Sequence, residues 1–205
     1  MKLIDLSHML DENTPVFPGD GATRLGKHRE LAAHGFNGHW LETALHTGTH
    51  VDVPMHFLDD ARTVADFPME GFAGPGVLLD VRGQAVIGMR EEYRRRVREG
   101  DVVLLWTGLD ARYGQAEYFT RYPCVTDALT AFFVEREIKM LGMDSPSPDV
   151  PPNACHKALL GAGIFVLENL THLERLAGIE AFEVMALPLK IAAEGSPVRA
   201  VGVMG

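Results

Sequence analysis

Three of the nine histidines in this chain of 205 residues fall within the eleven positions from His46 to His56. The segment is His46-Thr-Gly-Thr-His50-Val-Asp52-Val-Pro-Met-His56. Imidazole and carboxylate side chains together suit zinc, manganese or iron. His46, His50 and Asp52 would supply three ligands and leave one coordination position open for water, which is typical of a catalytic rather than a structural metal site.

The spacing of these residues favours an extended chain over a helix. On a helix, Asp52 would lie about 200° round from His50, and Gly48 and Pro54 both disfavour helix formation. On an extended chain, positions 46, 48, 50 and 52 point the same way, and 56 shares their parity if the chain stays extended past Pro54. Gly48 adds no side chain to that face, so a cation would have room there.

Three other interpretations of this cluster stay open. Its histidines could be buried and bonded to the backbone and to Asp52, although burying four ionisable side chains without a cation is costly. His46, His50 and Asp52 also fit the two-histidine, one-carboxylate iron site of an oxygenase, for which oxygen consumption would be diagnostic. The third alternative is a non-catalytic metal-binding module, against which the open coordination position and His56 both count.

Composition excludes several classes of protein. Apolar residues make up 46% of the chain and charged residues 23%, as in an ordinary globular protein. The formal net charge of −9 opposes binding to the phosphates of nucleic acid. No apolar run reaches the roughly 18 residues of a membrane span, and the first residues do not resemble a signal peptide. Two cysteines give no disulfide framework, so we predict a cytoplasmic protein.

Short apolar runs alternate with helical segments along the chain, which predicts a mixed α/β fold, and we expect one domain over residues 1–205. The predicted strands are 3–6, 76–81, 101–106, 139–142, 164–167, 182–189 and 198–204, with 41–53 extended. The predicted helices are 89–99, 127–137 with Thr126 or Asp127 as its cap, and 153–160. A turn-rich loop over 11–22 surrounds one aromatic residue, Phe17.

The central motif, His46-x-Gly-Thr-His50-x-Asp52-x-Pro-x-His56, resembles the signature of the cyclase family of metal hydrolases, which includes bacterial kynurenine formamidases and isatin hydrolases. The resemblance extends over nearly the whole chain. Four further segments are similar to parts of that family: Asp5-Leu-Ser-His8, Thr14-Pro-Val-Phe17-Pro-Gly-Asp20, Gly142-Met-Asp144-Ser-Pro-Ser, and Pro188-Leu-Lys190 with Gly195-Ser-Pro-Val-Arg199-Ala.

The resemblance implies a single mixed-sheet domain of swivelling β/β/α type and a site for two divalent ions, zinc or manganese. His46, His50 and Asp52 would match the ligands of the first ion, with Asp52 bridging. His156 would match a ligand of the second ion, and Glu168 a carboxylate that bridges both. The resemblance also implies a homodimer or a homotetramer.

His56 would match the catalytic acid/base of the family rather than a metal ligand. The expected reaction is hydrolysis of an amide-type bond in a small aromatic or cyclic molecule, such as an arylformamide similar to N-formylkynurenine or a cyclic amide. Phe17 offers an apolar ring for stacking against such a substrate. Kynurenine formamidases usually have tryptophan where this chain has Phe17, so the substrate itself stays open.

Overall fold

A mixed sheet of nine strands organises the chain, and the computed structural model describes every residue from 1 to 205. The strands are β1 Lys2–Asp5, β2 Arg24–Arg29, β3 Gly38–Glu42, β4 His50–Asp52, β5 Ala73–Asp80, β6 Val86–Ile87, β7 Val102–Trp106, β8 Cys124–Val125, β9 Met140–Met143, β10 Phe165–Glu168, β11 Glu183–Met185, β12 Gly195–Pro197 and β13 Val201–Met204. The α-helices are α1 Leu31–His34, α2 Tyr93–Arg96, α3 Asp127–Glu135 and α4 Ala154–Gly161. Short 3-10 helices cover Pro54–His56, Val64–Asp66, Met69–Phe72, Leu109–Arg112 and Leu173–Leu176.

The strands of the large sheet lie in the order β1-β13-β11-β5-β7-β9-β10-β4-β12. The central strands β5, β7, β9 and β10 are parallel to one another, and every other pair in the sheet is antiparallel. Strands β2 and β3 form a separate antiparallel hairpin, and β6 pairs with β8. The predicted mixed α/β class is therefore confirmed.

Two hydrophobic cores cover the two faces of the sheet. Along β7, Val103 and Leu105 belong to one core, whereas Val102 and Leu104 belong to the other. This alternation is why the central strands are almost continuously apolar, since a strand buried on both faces has no side that can be polar. The first core also holds the buried apolar side chains of α3 and α4.

The second core joins the two ends of the sheet. Ile4 of β1 and Val51 of β4 pack in the same cluster although their strands lie far apart in the strand order. The backbone N–H of His8, just after β1, donates a hydrogen bond to Thr49 Oγ1, just before β4. The sheet therefore curls around this core, and β4 lies beside β10, the strand on which α4 packs.

The predicted extended chain over 41–53 is wrong in its middle. Strand β3 ends at Glu42 and β4 begins only at His50. Between them the chain turns, and Gly48 has a φ of +66°, a left-handed conformation that glycine adopts without steric cost. Beyond β4 the chain does not stay extended either, because Pro54 opens a 3-10 helix.

The other predicted elements exist with shorter or shifted bounds. The predicted helix over 89–99 is helical only at Tyr93–Arg96, and the predicted strand over 182–189 is limited to Glu183–Met185. Thr126 caps α3 as expected, since its side chain accepts a hydrogen bond from the backbone N–H of Leu129. None of the helices has the length and the apolar character that crossing a membrane would require.

Candidate metal centre

Strand β4 brings two candidate ligands to one face of the sheet. His50 and Asp52 alternate with Val51 and Val53, and both valines lie in the second core. Such alternation is the rule for a strand, so the histidine and the carboxylate must share the opposite face. His50 pairs across the ladder with Glu168 of β10, and side chains paired across an antiparallel ladder lie on the same face.

His46 reaches this face from the turn that precedes β4. Its Nδ1 lies 2.7 Å from Asp52 Oδ1, in hydrogen-bonding geometry. The neighbouring strand β12 makes room for the ring, because a Cβ atom at Gly195 would lie 2.7 Å from His46 Cε1. The turn at Gly48 thus brings His46 to the same face as His50 and Asp52, a placement that the sequence analysis expected from an extended chain.

Helix α4 supplies the third candidate imidazole ligand. His156 Nε2 lies 3.1 Å from Glu168 Oε1 and 3.8 Å from Asp52 Oδ2. Its other ring nitrogen, Nδ1, lies 2.6 Å from Asp149 Oδ1, and its backbone N–H donates to Asp149 Oδ2. A carboxylate behind a histidine fixes the tautomer and orientation of a metal-binding imidazole.

These side chains form two groups that could each hold a divalent ion. One group is His46, His50 and Asp52, and the other is Asp52, His156 and Glu168. Within each group the potential ligand atoms all lie within 4.8 Å of one another, and Asp52 belongs to both. Glu168 also contacts both groups, because its Oε2 lies 3.3 Å from His50 Nε2 while its Oε1 faces His156.

Unsatisfied polar atoms show that these groups fit a cation. His50 Nε2 and Asp52 Oδ2 are buried and make no hydrogen bond, although a buried polar atom without a partner is costly. His50 Nδ1, by contrast, is satisfied by the carbonyl oxygen of Gly48 at 2.8 Å, so Nε2 is the nitrogen left to bind an ion. Divalent cations held by the two groups would give both orphaned atoms a partner.

The charges of the cluster also favour a cation. Burial alone would raise the pKa of Asp52, but the facing imidazoles of His50 and His46 hold it well below its usual range. Burial alone would lower the pKa of His156, yet its hydrogen bonds to Asp149 and Glu168 raise it to about 10. Buried carboxylates in this number attract positive charge, which a metal ion would supply.

His56 lies beside the two groups and belongs to neither of them. Its ring stacks on that of His46 at a centroid distance of 3.9 Å and an interplanar angle of 24°. Burial lowers the pKa of His56, and the charges of Asp52 and Glu168 offset part of that effect. His56 thus lies next to the candidate ligand His46 and outside both groups, a position compatible with a role as acid/base.

A cavity of about 330 Å³ opens above the two groups. Phe17 lines it, with 44% of the residue exposed, and therefore does not plug the core. The Phe17 ring meets Phe119 edge to face at a centroid distance of 5.8 Å. Phe57 and Tyr122 complete the aromatic wall, so the cavity joins an apolar surface to the polar centre below it.

Sequence reasoning missed the residues that support the ligands from behind. Asp149 lies in a turn-rich segment, and nothing in its spacing from His156 marks it. Asn169 donates from Nδ2 to the carbonyl oxygen of Gly48 and accepts from the buried hydroxyl of Tyr118. Only one sequence signal pointed to Asn169: it is a polar residue directly after Glu168, at the end of a buried strand.

A model of the cyclase family, described as "Putative cyclase", matches residues 4–150 of the chain. A kynurenine formamidase from Bacillus cereus is 34% identical in an alignment that covers 97% of this chain and 95% of that protein. This chain belongs to the cyclase family. The family assignment made from the motif around His46 is thereby confirmed.

Solved structures of this family have the same fold. Isatin hydrolase A from Labrenzia aggregata, bound to benzyl benzoate, has a TM-score of 0.88 and 26% identity, and the match covers 99% of this chain and 93% of that one. A protein described as a potential metal-dependent hydrolase with cyclase activity has a TM-score of 0.79 at 21% identity, over 100% of this chain and 99% of that one. The second likeness concerns the fold alone.

The predicted class, a metal-dependent amidohydrolase of the cyclase family, is confirmed by these relatives together with the two candidate metal groups. The iron-oxygenase alternative requires one isolated group of two histidines and one carboxylate. Here a second group shares Asp52 with the first, which a mononuclear site does not need. The alternative of a non-catalytic binding module does not account for the aromatic cavity above the groups.

The support of His156 by Asp149 leads to a prediction about metal affinity. Asp149→Asn keeps the size of the side chain but removes the charge behind the imidazole, so the affinity for an ion at the group of Asp52, His156 and Glu168 should fall by about 10- to 100-fold. Competition against a chelator measures that affinity. Asp59→Asn is the control, because Asp59 is exposed and lies outside the cavity. Equal affinities of the two variants would contradict the role given to Asp149.

Proposed function

We propose that this protein hydrolyses an amide-type C–N bond in a small aromatic substrate, an arylformamide similar to N-formylkynurenine or a cyclic amide. Two divalent ions, zinc or manganese, are held by His46, His50 and Asp52 and by Asp52, His156 and Glu168. The observation that carries this proposal is the pair of three-ligand groups that share Asp52 on the floor of an aromatic cavity. The kynurenine formamidase and isatin hydrolase relatives support the choice of substrates.

The ions would polarise the scissile carbonyl and lower the pKa of bound water toward about 7. His56 is the group that moves the proton. Its lowered pKa leaves the imidazole neutral at pH 7, so it can accept a proton as water attacks and then deliver it to the leaving nitrogen. An amine is a poor leaving group, and it departs readily only when its nitrogen is protonated.

The aromatic wall orients the substrate over this floor. Phe17 and Phe119 already meet edge to face, and a substrate ring that packs beside them would gain the same kind of contact. Phe57 packs against the ring of His156 at a centroid distance of 4.6 Å and so covers one side of that imidazole. The apolar rim thus holds the aryl group while the amide carbonyl faces the ligands.

A substrate panel tests the proposed reaction. Protein reconstituted with zinc, with manganese or with no metal is assayed against arylformamides, cyclic amides and lactones, with product release measured by absorbance. We expect hydrolysis of an arylformamide or a cyclic amide that depends on added metal. If none of these substrates were hydrolysed with either metal, the result would contradict the proposal and favour a non-catalytic binding module.

The roles of His56 and His50 can be separated by substitution. His56→Ala should leave the metal content nearly intact and lower kcat by about 10² to 10⁴, because only the proton carrier is lost. His50→Ala should remove metal and activity together, because His50 belongs to the first ligand group. The metal content of each purified variant is measured and compared with its kcat. Loss of metal from His56→Ala in proportion to activity would make His56 a ligand.

We also propose that the protein is a homodimer or a homotetramer in the cytoplasm, associated through the β2–β3 hairpin. Residues 24–42 include no buried residue, although an isolated two-stranded hairpin is marginally stable in water. The large exposed apolar side chains of the hairpin are Leu25, Leu31, Phe36, Trp40 and Leu41. By its Lys, Arg, Asp and Glu residues, the hairpin carries a net charge of +1 and the remainder of the chain −10, so a second copy offers a surface of complementary charge.

Sedimentation equilibrium tests this assembly. We expect a mass of two or four chains for the wild type, and a monomer for Leu31→Glu/Phe36→Glu, which places two charges on the apolar side chains of the hairpin. Met69→Glu is the control, because Met69 is exposed on another part of the surface. A monomeric wild-type protein, or an unchanged mass of the hairpin variant, would contradict association through the hairpin.

A further inference from the structure

Apart from the histidines, the charged side chains that line the cavity are all acidic. Asp20, Asp149 and Glu168 line it, and neither lysine nor arginine does. Asp149 and Glu168 both form hydrogen bonds with His156. Asp20 makes no ion pair and no side-chain hydrogen bond, and it is exposed at the rim. Because histidines bind a metal ion in their neutral form, the metal-loaded cavity offers one free carboxylate to a bound molecule and no cationic side chain.

A tight turn holds Asp20 beside the aromatic wall. The backbone N–H of Asp20 donates to the carbonyl oxygen of Phe17 at 3.0 Å. Gly19, within the turn, has a φ of +108°, which few other residues adopt. The turn places Phe17 and Asp20 on the same rim of the cavity, so a substrate that stacks on Phe17 can reach Asp20 with a distal substituent.

Metal ions bound by the two ligand groups would not make the net charge of the cavity positive. Four carboxylates belong to the cavity and to the ligand groups, namely Asp20, Asp52, Asp149 and Glu168. Two divalent cations would balance their four negative charges and leave no excess positive charge at the rim. A carboxylate on the distal part of a substrate would then face Asp20 without a counter-charge, whereas an ammonium group would be attracted.

We propose that Asp20 selects the substrate by charge, so that the preferred substrates are arylformamides or cyclic amides that carry a protonated amine on the part distal to the scissile bond. Substrates whose only charged group is a distal carboxylate are disfavoured. This inference rests on the proposed amide hydrolysis and goes further by naming the substituent that the rim recognises. Because Asp20 is exposed, the attraction is moderate, about fivefold in kcat/KM at low salt, and it weakens as salt is added.

Three matched substrates test the proposal with the zinc-loaded enzyme: formanilide, 4-(aminomethyl)formanilide and 4-formamidophenylacetate. The wild type should prefer the ammonium substrate to the carboxylate substrate, chiefly through KM. Asp20→Asn should bring the ratio of the two kcat/KM values close to 1, and Asp20→Lys should invert it. Asp59→Asn, which removes an equal charge outside the cavity, should keep the wild-type ratio. A wild-type preference for the carboxylate substrate, or an unchanged ratio in Asp20→Asn, would overturn the proposal.

A binding measurement separates this proposal from the proposed reaction. Calorimetry with aniline, 4-(aminomethyl)aniline and 4-aminophenylacetate reports recognition at the rim without turnover. If none of the formanilides is hydrolysed, the proposed reaction fails for them, and the order of affinities of the three anilines still decides the role of Asp20. Tighter binding of the ammonium compound that is lost in Asp20→Asn supports the proposal. Equal affinities in the wild type overturn it.

Discussion

The buried position of Asp52 is the constraint on which the rest of the site depends. Asp52 is 1% exposed, and it belongs both to the group of His46 and His50 and to the group of His156 and Glu168. A buried carboxylate is stable only when positive charge or hydrogen bonds surround it. His46 supplies one hydrogen bond to Oδ1, while Oδ2 has none. The second core, the turn at Gly48 and helix α4 together hold the cation-binding side chains around this one group.

The part of the site that follows local periodicity could be predicted from sequence. The alternation of His50 and Asp52 with two valines places the ligands on one face, as expected of any strand. His46 and His56 reach the same place by other routes, a left-handed turn and a 3-10 helix. The sequence analysis therefore placed His46 and His56 near His50 and Asp52 correctly, but it assumed a continuous extended chain. In the structure a turn brings His46 back to that face, and a 3-10 helix does so for His56.

The remaining partners depend on contacts between distant parts of the chain. Glu168 meets His50 because β10 pairs with β4, and no local pattern encodes that pairing. Asp149 and Asn169 support the ligands from behind. Aspartate and asparagine are also common in turns, so their residue types alone do not mark them as part of the site. Only the resemblance to the cyclase family implies His156 and Glu168 at the level of sequence. The supporting residues needed the structure, because hydrogen bonds such as that from Asn169 to Gly48 join positions 121 residues apart.

The account depends most directly on where divalent ions bind. Anomalous diffraction at the zinc edge, from crystals of zinc-loaded protein, locates them without reference to activity. Two peaks are predicted, one among His46, His50 and Asp52 and the other among Asp52, His156 and Glu168, with Asp52 between them. Absence of any peak at these side chains, or a peak only at another place on the protein, would contradict the account.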